Sequence, residues 1–457
     1  YVDGLLAENH GNVDPAGRVF DPLMAEPCFS APVPYESQPY LPDPPALPEA
    51  GRHLVYLDVW HREVTHVEQP DLVETAVGVE TSSRLQTVWQ VRVLADEAGA
   101  GTTCDSPDAK LAGWADLIAP STGRLSTGTY EVAAVTDPCE LPPEGGYRGL
   151  ENQLYRVEIH DAGQPGGAAT FKWSRDNASV QTRVSACVSA SELQVDSLGR
   201  DEVLRINSGD WVEILDDTRE FAQRPGEIRK ATVIAGKDRH IALNAPLPAD
   251  MLPASFPDGT FPRQRNLRVR LWNQRGKVLS TAGNGATAVF QDLDDAASTG
   301  VIEVPAAGTT LLLENGVTVS FGTAGPKGFR AGDYWVFAAR TSDASIEALD
   351  QAPPRGAHHH YARLSLWDAG SDAEPGDCRH KWPPAGGDDC SCTQCVTPES
   401  HASGQLTIQD AVRRVQETGG TVCLGAGQYA LREAVQVGGR SVRIRGQGSA
   451  TVVSAPG

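Results

Sequence analysis

The hydrophobic positions of this chain recur mostly with a period of two. Leu267-Arg268-Val269-Arg270-Leu271 and Val91-Arg92-Val93 alternate cleanly, which describes strands with one buried and one wet face. Similar short runs, rich in β-branched and aromatic residues, occupy residues 54–60, 87–94, 153–159, 170–173, 211–215, 228–234 and 334–339. Each is bounded by Gly, Pro, Asp or Asn, the residues that make turns. Almost no helical period appears before residue 400. The pattern predicts a mostly β protein of several antiparallel β-sandwich or barrel modules.

The period changes once, near the end. Leu406, Ile408, Ala411, Val412 and Val415 fall on one helical face, Thr407 can cap it with Asp410 three residues on, and Gly419-Gly420 ends it. Short strands are expected afterwards at residues 421–424, 434–437, 441–444 and 451–453. The 20-residue step from Val422 to Val442 is close to one coil of a parallel β-helix, whose first edge a helix could cap. The expected organisation is an N-terminal β domain over residues 1–145, β modules over 146–265 and 266–370, a Cys-rich linker over 371–400, and the helix-capped start of a parallel β-helix over 401–457.

Two smaller features refine this plan. Residues 31–50 hold Pro32, Pro34, Pro39, Pro42, Pro44, Pro45 and Pro48, so they cannot join a sheet interior and should link two modules or strap across a neighbour. Gly209-Asp210-Trp211 and Gly332-Asp333-Tyr334 form an internal echo, each a turn that delivers an aromatic residue into a strand, and suggest two related modules.

Composition narrows the function classes. The 457 residues carry 39 Lys+Arg against 59 Asp+Glu, a net charge of −20. That balance disfavours duplex nucleic acid and anionic membrane surfaces as partners, and no apolar run approaches a membrane span. The chain opens in Tyr1-Val2-Asp3-Gly4 with neither Met nor a leader, so a preceding piece is expected.

The densest candidate chemistry is Cys378, Cys390, Cys392 and Cys395, with His380 and His401 nearby. Four thiolates, or three and an imidazole, could close a structural zinc shell, and two disulfides stapling a linker fit the same residues equally well. Nine cysteines leave at least one outside any internal pairing. Cys423, inside an expected strand, should face the solenoid packing and take no part. His358-His359-His360 precedes an alternating strand, where at most His358 and His360 could share one ligand. The acid pairs Asp216-Asp217, Asp294-Asp295 and Asp388-Asp389 lie in turn contexts and read as caps rather than as glycosidase pairs. Gly283-Asn284-Gly285 lacks the βαβ setting of a dinucleotide loop. Asn177-Ala178-Ser179 fits a glycosylation acceptor. Trp60, Trp89, Trp173, Trp211, Trp272 and Trp335 read as core residues, with a sugar-stacking platform as the alternative.

Several stretches carry a family resemblance. They are Tyr1-Val2-Asp3-Gly4-Leu5-Leu6-Ala7-Glu8-Asn9, Leu54-Val55-Tyr56-Leu57-Asp58-Val59-Trp60, Thr87-Val88-Trp89-Gln90-Val91, the run from Gly146 to His160, and Thr170-Phe171-Lys172-Trp173-Ser174-Arg175-Asp176-Asn177. Over about residues 1–370 the chain resembles an uncharacterised bacterial family encoded beside phage-tail-like contractile injection systems. Residues 397–457 are similar to the opening of right-handed parallel β-helix proteins of the pectate-lyase-like type, which include both polysaccharide-cleaving enzymes and tailspikes. The resemblance implies a non-enzymatic fibre- or spike-like component of an extracellular or released particle. Such a component would associate with itself through β edges and with other particle components or a surface glycan. It supplies no catalytic residues. The alternatives are a β-helix polysaccharide lyase or hydrolase with accessory β domains, and a carbohydrate-binding adhesin.

Overall fold

The fold was analysed in a computed structural model. It describes residues 2, 3, 5, 7 and 34–455, apart from 100, 131–145, 202–203, 282–285, 374, 380–391, 417–418, 432 and 439–441. The chain is mostly β and separates into two units, residues 1–376 and 377–457.

The first unit contains three antiparallel bodies, each interrupted by the next. The outermost is a sheet in which Gly51–Val64 lies between Arg84–Glu97 and His360–Ala369. Both long strands match the alternating runs of the sequence, and Leu54, Tyr56, Val59 and Trp60 are buried. The Pro-rich stretch covers an edge of this sheet. Gln38 accepts a hydrogen bond from Val91 N (2.6 Å) and donates one to Val91 O (2.9 Å), giving the strand partners that a strand's own edge lacks. Of the two roles open to that stretch, strapping across a neighbour is the one seen.

Within that sheet's sequence lies a β-sandwich. One five-stranded sheet runs in the order Thr287–Asp292, Lys277–Thr281, Thr310–Leu312, Val317–Thr323, Gly123–Thr129. The other runs Ile302–Glu303, Thr170–Ser174, Gln153–Ile159, Tyr334–Arg340, Ser345–Ile346. The two close on one core, with Leu125, Val278, Leu311, Val319 and Phe321 from the first and Tyr155, Val157, Phe171, Ile302 and Phe337 from the second.

Between Ser174 and Lys277 the chain leaves the sandwich to build a closed six-stranded barrel. Its strands follow around as Trp211–Leu215, Glu227–Val233, His240–Leu243, Glu192–Val195, Gln181–Ser189 and Arg268–Trp272. Val184, Leu193, Ile214, Ile241 and Val269 fill it. Strands on both sides of residues 145 and 265 thus build the same bodies, so the bodies are nested rather than consecutive. Long-range pairing causes this: the period of a strand says which face is wet but not which strand lies beside it.

The internal echo is real as a turn. Asn207 N donates to Asp210 Oδ2 and Arg330 N to Asp333 Oδ2, both at 2.8 Å, and Gly209 and Gly332 both take positive φ, which glycine adopts without the steric penalty of a Cβ. One copy enters the barrel and the other the sandwich.

In the second unit the helix forms over Ile408–Val415 with the Thr407–Asp410 capping box and a buried face of Ile408, Ala411, Val412 and Val415. It packs with Val396, Val422, Leu424 and Tyr429. Gln394–Val396, Gly420–Leu424 and Val442–Arg445 pair in parallel, as do Gly427–Ala430 and Thr451–Ser454. Gly420 is registered with Val442, a step of 22 residues (442 − 420). Residues 434–437, expected as a strand, lie outside any strand. A strand forms instead over Gly427–Ala430.

Candidate functional site

The most concentrated chemistry lies where sandwich and barrel meet. Glu158 and Lys172 are cross-strand partners in the sandwich, so the pleat places their side chains on one face. His160 follows two residues after Glu158. From the barrel come Glu213 and Trp272, on paired strands. Lys172 is 2% exposed and Glu213 3%. Two buried charges at that depth require partners.

Those partners are present. Lys172 Nζ donates to Glu213 Oε1 at 2.5 Å and lies 3.2 Å from Glu158 Oε1. His160 Nδ1 is 3.5 Å from the ammonium. Glu213 also accepts from Gly226 N (3.0 Å) and Trp272 Nε1 (2.9 Å). Gly226 passes so close that a Cβ there would lie 2.5 Å from Glu213 Cγ, so the position needs glycine. Arg156 holds the far side of Glu158 at 2.6 Å and stacks on Tyr334, and the Lys172 ammonium sits 4.7 Å from the Trp272 ring centroid, in cation–π range.

Burial pushes the Glu213 pKa up, but Lys172, His160 and Arg270 outweigh it and hold the carboxyl below the usual range. Glu158 is also lowered, burial being outweighed by Arg156 and Lys172. His160 is lowered by burial and then by Lys172, against the pull of Glu213, Asp161 and Glu158. Both carboxyl groups are thus held toward their ionised forms and the His160 imidazole toward its neutral form.

A second ionic cluster joins the outer sheet to the barrel. Arg62 contacts Glu68 (2.5 Å) and Glu220 (3.2 Å); Arg268, 4% exposed, contacts Glu220 and Asp217. Glu68, Asp217 and Glu220 place oxygens within 4.8 Å of one another, a spacing a cation could use. The two guanidiniums already occupy that space, so these carboxylates bind side chains of the protein itself.

The residues singled out by sequence are distributed differently. Cys392 is joined to Cys423, with Cα atoms 5.9 Å apart, which overturns the expectation that Cys423 takes no part. In Gly420–Leu424 the buried residues are Val422 and Leu424, so strand alternation turns Cys423 away from the core. Cys378 and Cys395 are disulfide-bonded as well, as is Cys104; Cys390, His380 and the Asp388-Asp389 pair lie outside the described residues. His401 receives Ile408 N on Nδ1 and its Nε2 meets Ala430 O, which fixes its ring to backbone. His359 bonds Asp58 Oδ1 (2.7 Å) and packs on Trp60, whereas His360 meets Asp3. Asp216 caps the helix Asp217–Phe221 and binds Arg265. All six tryptophans of the sequence analysis are buried, so none of them offers an exposed face for a sugar. Asn177 is exposed in a left-handed turn.

Sequence reasoning passed over Lys172, Glu213 and Glu158. A signal existed: Lys172 lies between Phe171 and Trp173 in an apolar strand, and Glu213 stands in Trp211-Val212-Glu213-Ile214-Leu215.

A family model described as a family of unknown function (DUF6519) matches residues 47–126 and 104–382. That is well over half of the chain, so the protein belongs to this family. No curated protein and no solved structure matches it.

Proposed function

We propose that the protein is a non-enzymatic structural element, a fibre- or spike-like component of a phage-tail-like or other extracellular bacterial assembly. The observation that carries this reading is where the buried charge goes. Both ionic clusters described above join one body to another, Lys172–Glu213 across sandwich and barrel and Arg62/Arg268 with Glu68, Asp217 and Glu220 across outer sheet and barrel. Buried pairs of this kind contribute little net stability but fix one geometry when complete, which suits a block that transmits load. The disulfide Cys392–Cys423 supports an oxidising location.

We read the second unit as the opening of a right-handed parallel β-helix, supported by its two parallel sheets and the 22-residue step. Ile444 is registered with buried Val422, and Val453 with buried Tyr429, yet they are 41% and 47% exposed. Self-association through strand edges is part of the proposal. Sedimentation velocity at micromolar concentration is expected to show a stable homo-oligomer. A persistent monomer overturns the self-association, and release of reducing ends from a bacterial polysaccharide would favour the lyase or hydrolase reading instead.

A further inference from the structure

The Lys172 site has a composition that a salt bridge alone does not require. A primary amine and a carboxyl group are held at 2.5 Å, each nearly inaccessible to water. A second carboxylate, Glu158, stands 3.2 Å from the same nitrogen. Two N–H donors, Gly226 N and Trp272 Nε1, point one to each oxygen of Glu213. Nucleophile, electrophile, proton carrier and oxyanion donors are thus assembled by strands that pack for other reasons.

We propose that Lys172 and Glu213 condense to an intramolecular isopeptide bond that covalently ties the sandwich to the barrel. The ammonium first passes one proton to Glu213, giving a neutral amine beside a neutral acid; the dry surroundings lessen the advantage that the charged pair has in water. Lys172 Nζ then attacks Glu213 Cδ, and the oxygen that takes up negative charge is held by one of the N–H donors. Glu158 accepts the second proton from nitrogen and delivers it to the hydroxyl group, which leaves as water. One C–N bond forms, one C–O bond breaks, and a positive and a negative charge disappear together. No oxidant, metal or cofactor enters the balance. His160, Arg156, Arg270 and Asp161 are the other titratable groups around the site, and the first can relay a proton while the second fixes Glu158.

Intact mass spectrometry of the purified, fully reduced and denatured chain reads the bond directly. The expected mass is one water below that of the sequence, and a tryptic digest should contain one branched peptide that joins the segments around Lys172 and Glu213. Lys172→Arg should restore the full mass, and Glu158→Gln should leave all or most of the chain unlinked. A wild-type chain at full mass overturns the proposal. A lost water that persists in Lys172→Arg overturns it equally, because the dehydration would then lie elsewhere. The branched peptide of the natural chain identifies the joined residues whether or not the variants fold.

Discussion

In residues 1–376 each body is closed by strands far apart in sequence, and the joints between bodies are buried charges. In residues 377–457 the pairing is parallel, paired strands lie 22 to 28 residues apart in sequence, and a disulfide spans 31 residues between Cys392 and Cys423. The first arrangement depends on complete sets of partners, because one missing side chain leaves an uncompensated charge in a dry place. The second depends on chain connectivity, because its covalent link acts largely by restricting the unfolded chain. The same protein therefore holds its parts by two strategies that should fail under different insults.

The largest effect should come from removing a buried cation. Arg268→Met leaves Glu68, Asp217 and Glu220 with Arg62 as their remaining guanidinium and is expected to destabilise the first unit by about 3–5 kcal/mol. Denaturant unfolding followed through the tryptophans, which cluster in residues 1–376 among those buried, measures it. An effect within about 0.5 kcal/mol, the size usual for surface substitutions, would erase the contrast between the units.

Next comes the disulfide. Cys392→Ser should destabilise the second unit by about 3–4 kcal/mol, from the loop-closure estimate for its 31-residue separation. Hydrogen exchange should show lost protection in Gly420–Leu424 and Ile408–Val415 with the barrel strands unchanged. Loss of protection in the barrel instead would mean that the two units do not fail separately.

The smallest effect is acid sensitivity of the sandwich–barrel joint. His160 is held toward its neutral form, below its ordinary value of 6.5, chiefly by burial. Unfolding lets it take up a proton, so its contribution is intact above about pH 7 and stability falls as pH drops through 6.5 toward the lower folded value. Denaturation midpoints compared at about pH 7.5 and 5.5 should fall for the natural chain, and His160→Gln should flatten that part of the curve. An unchanged slope in the variant would assign the acid response to another group.

Local rules were legible wherever a residue's environment depends on near neighbours. The Ile408–Val415 helix, its Thr407–Asp410 box and its buried face follow from spacing alone. So do residues 54–60 and 87–94, the middle parts of the longer strands Gly51–Val64 and Arg84–Glu97, and the matching turns before Trp211 and Tyr334. Cys423 was misjudged although strand alternation between Val422 and Leu424 was available to orient it outward.

What the sequence by itself determined is thus the β character of the chain, the faces of its strands, its turns and one capped helix, because these arise from dihedral preference and burial over a few residues. The tertiary structure alone decided that the bodies are nested, that the barrel closes, and that Lys172 of one body meets Glu213 of another. Those outcomes turn on contacts between residues such as 172 and 213, 41 positions apart. A buried lysine reads in sequence as an ordinary polar position until the fold brings its carboxylates.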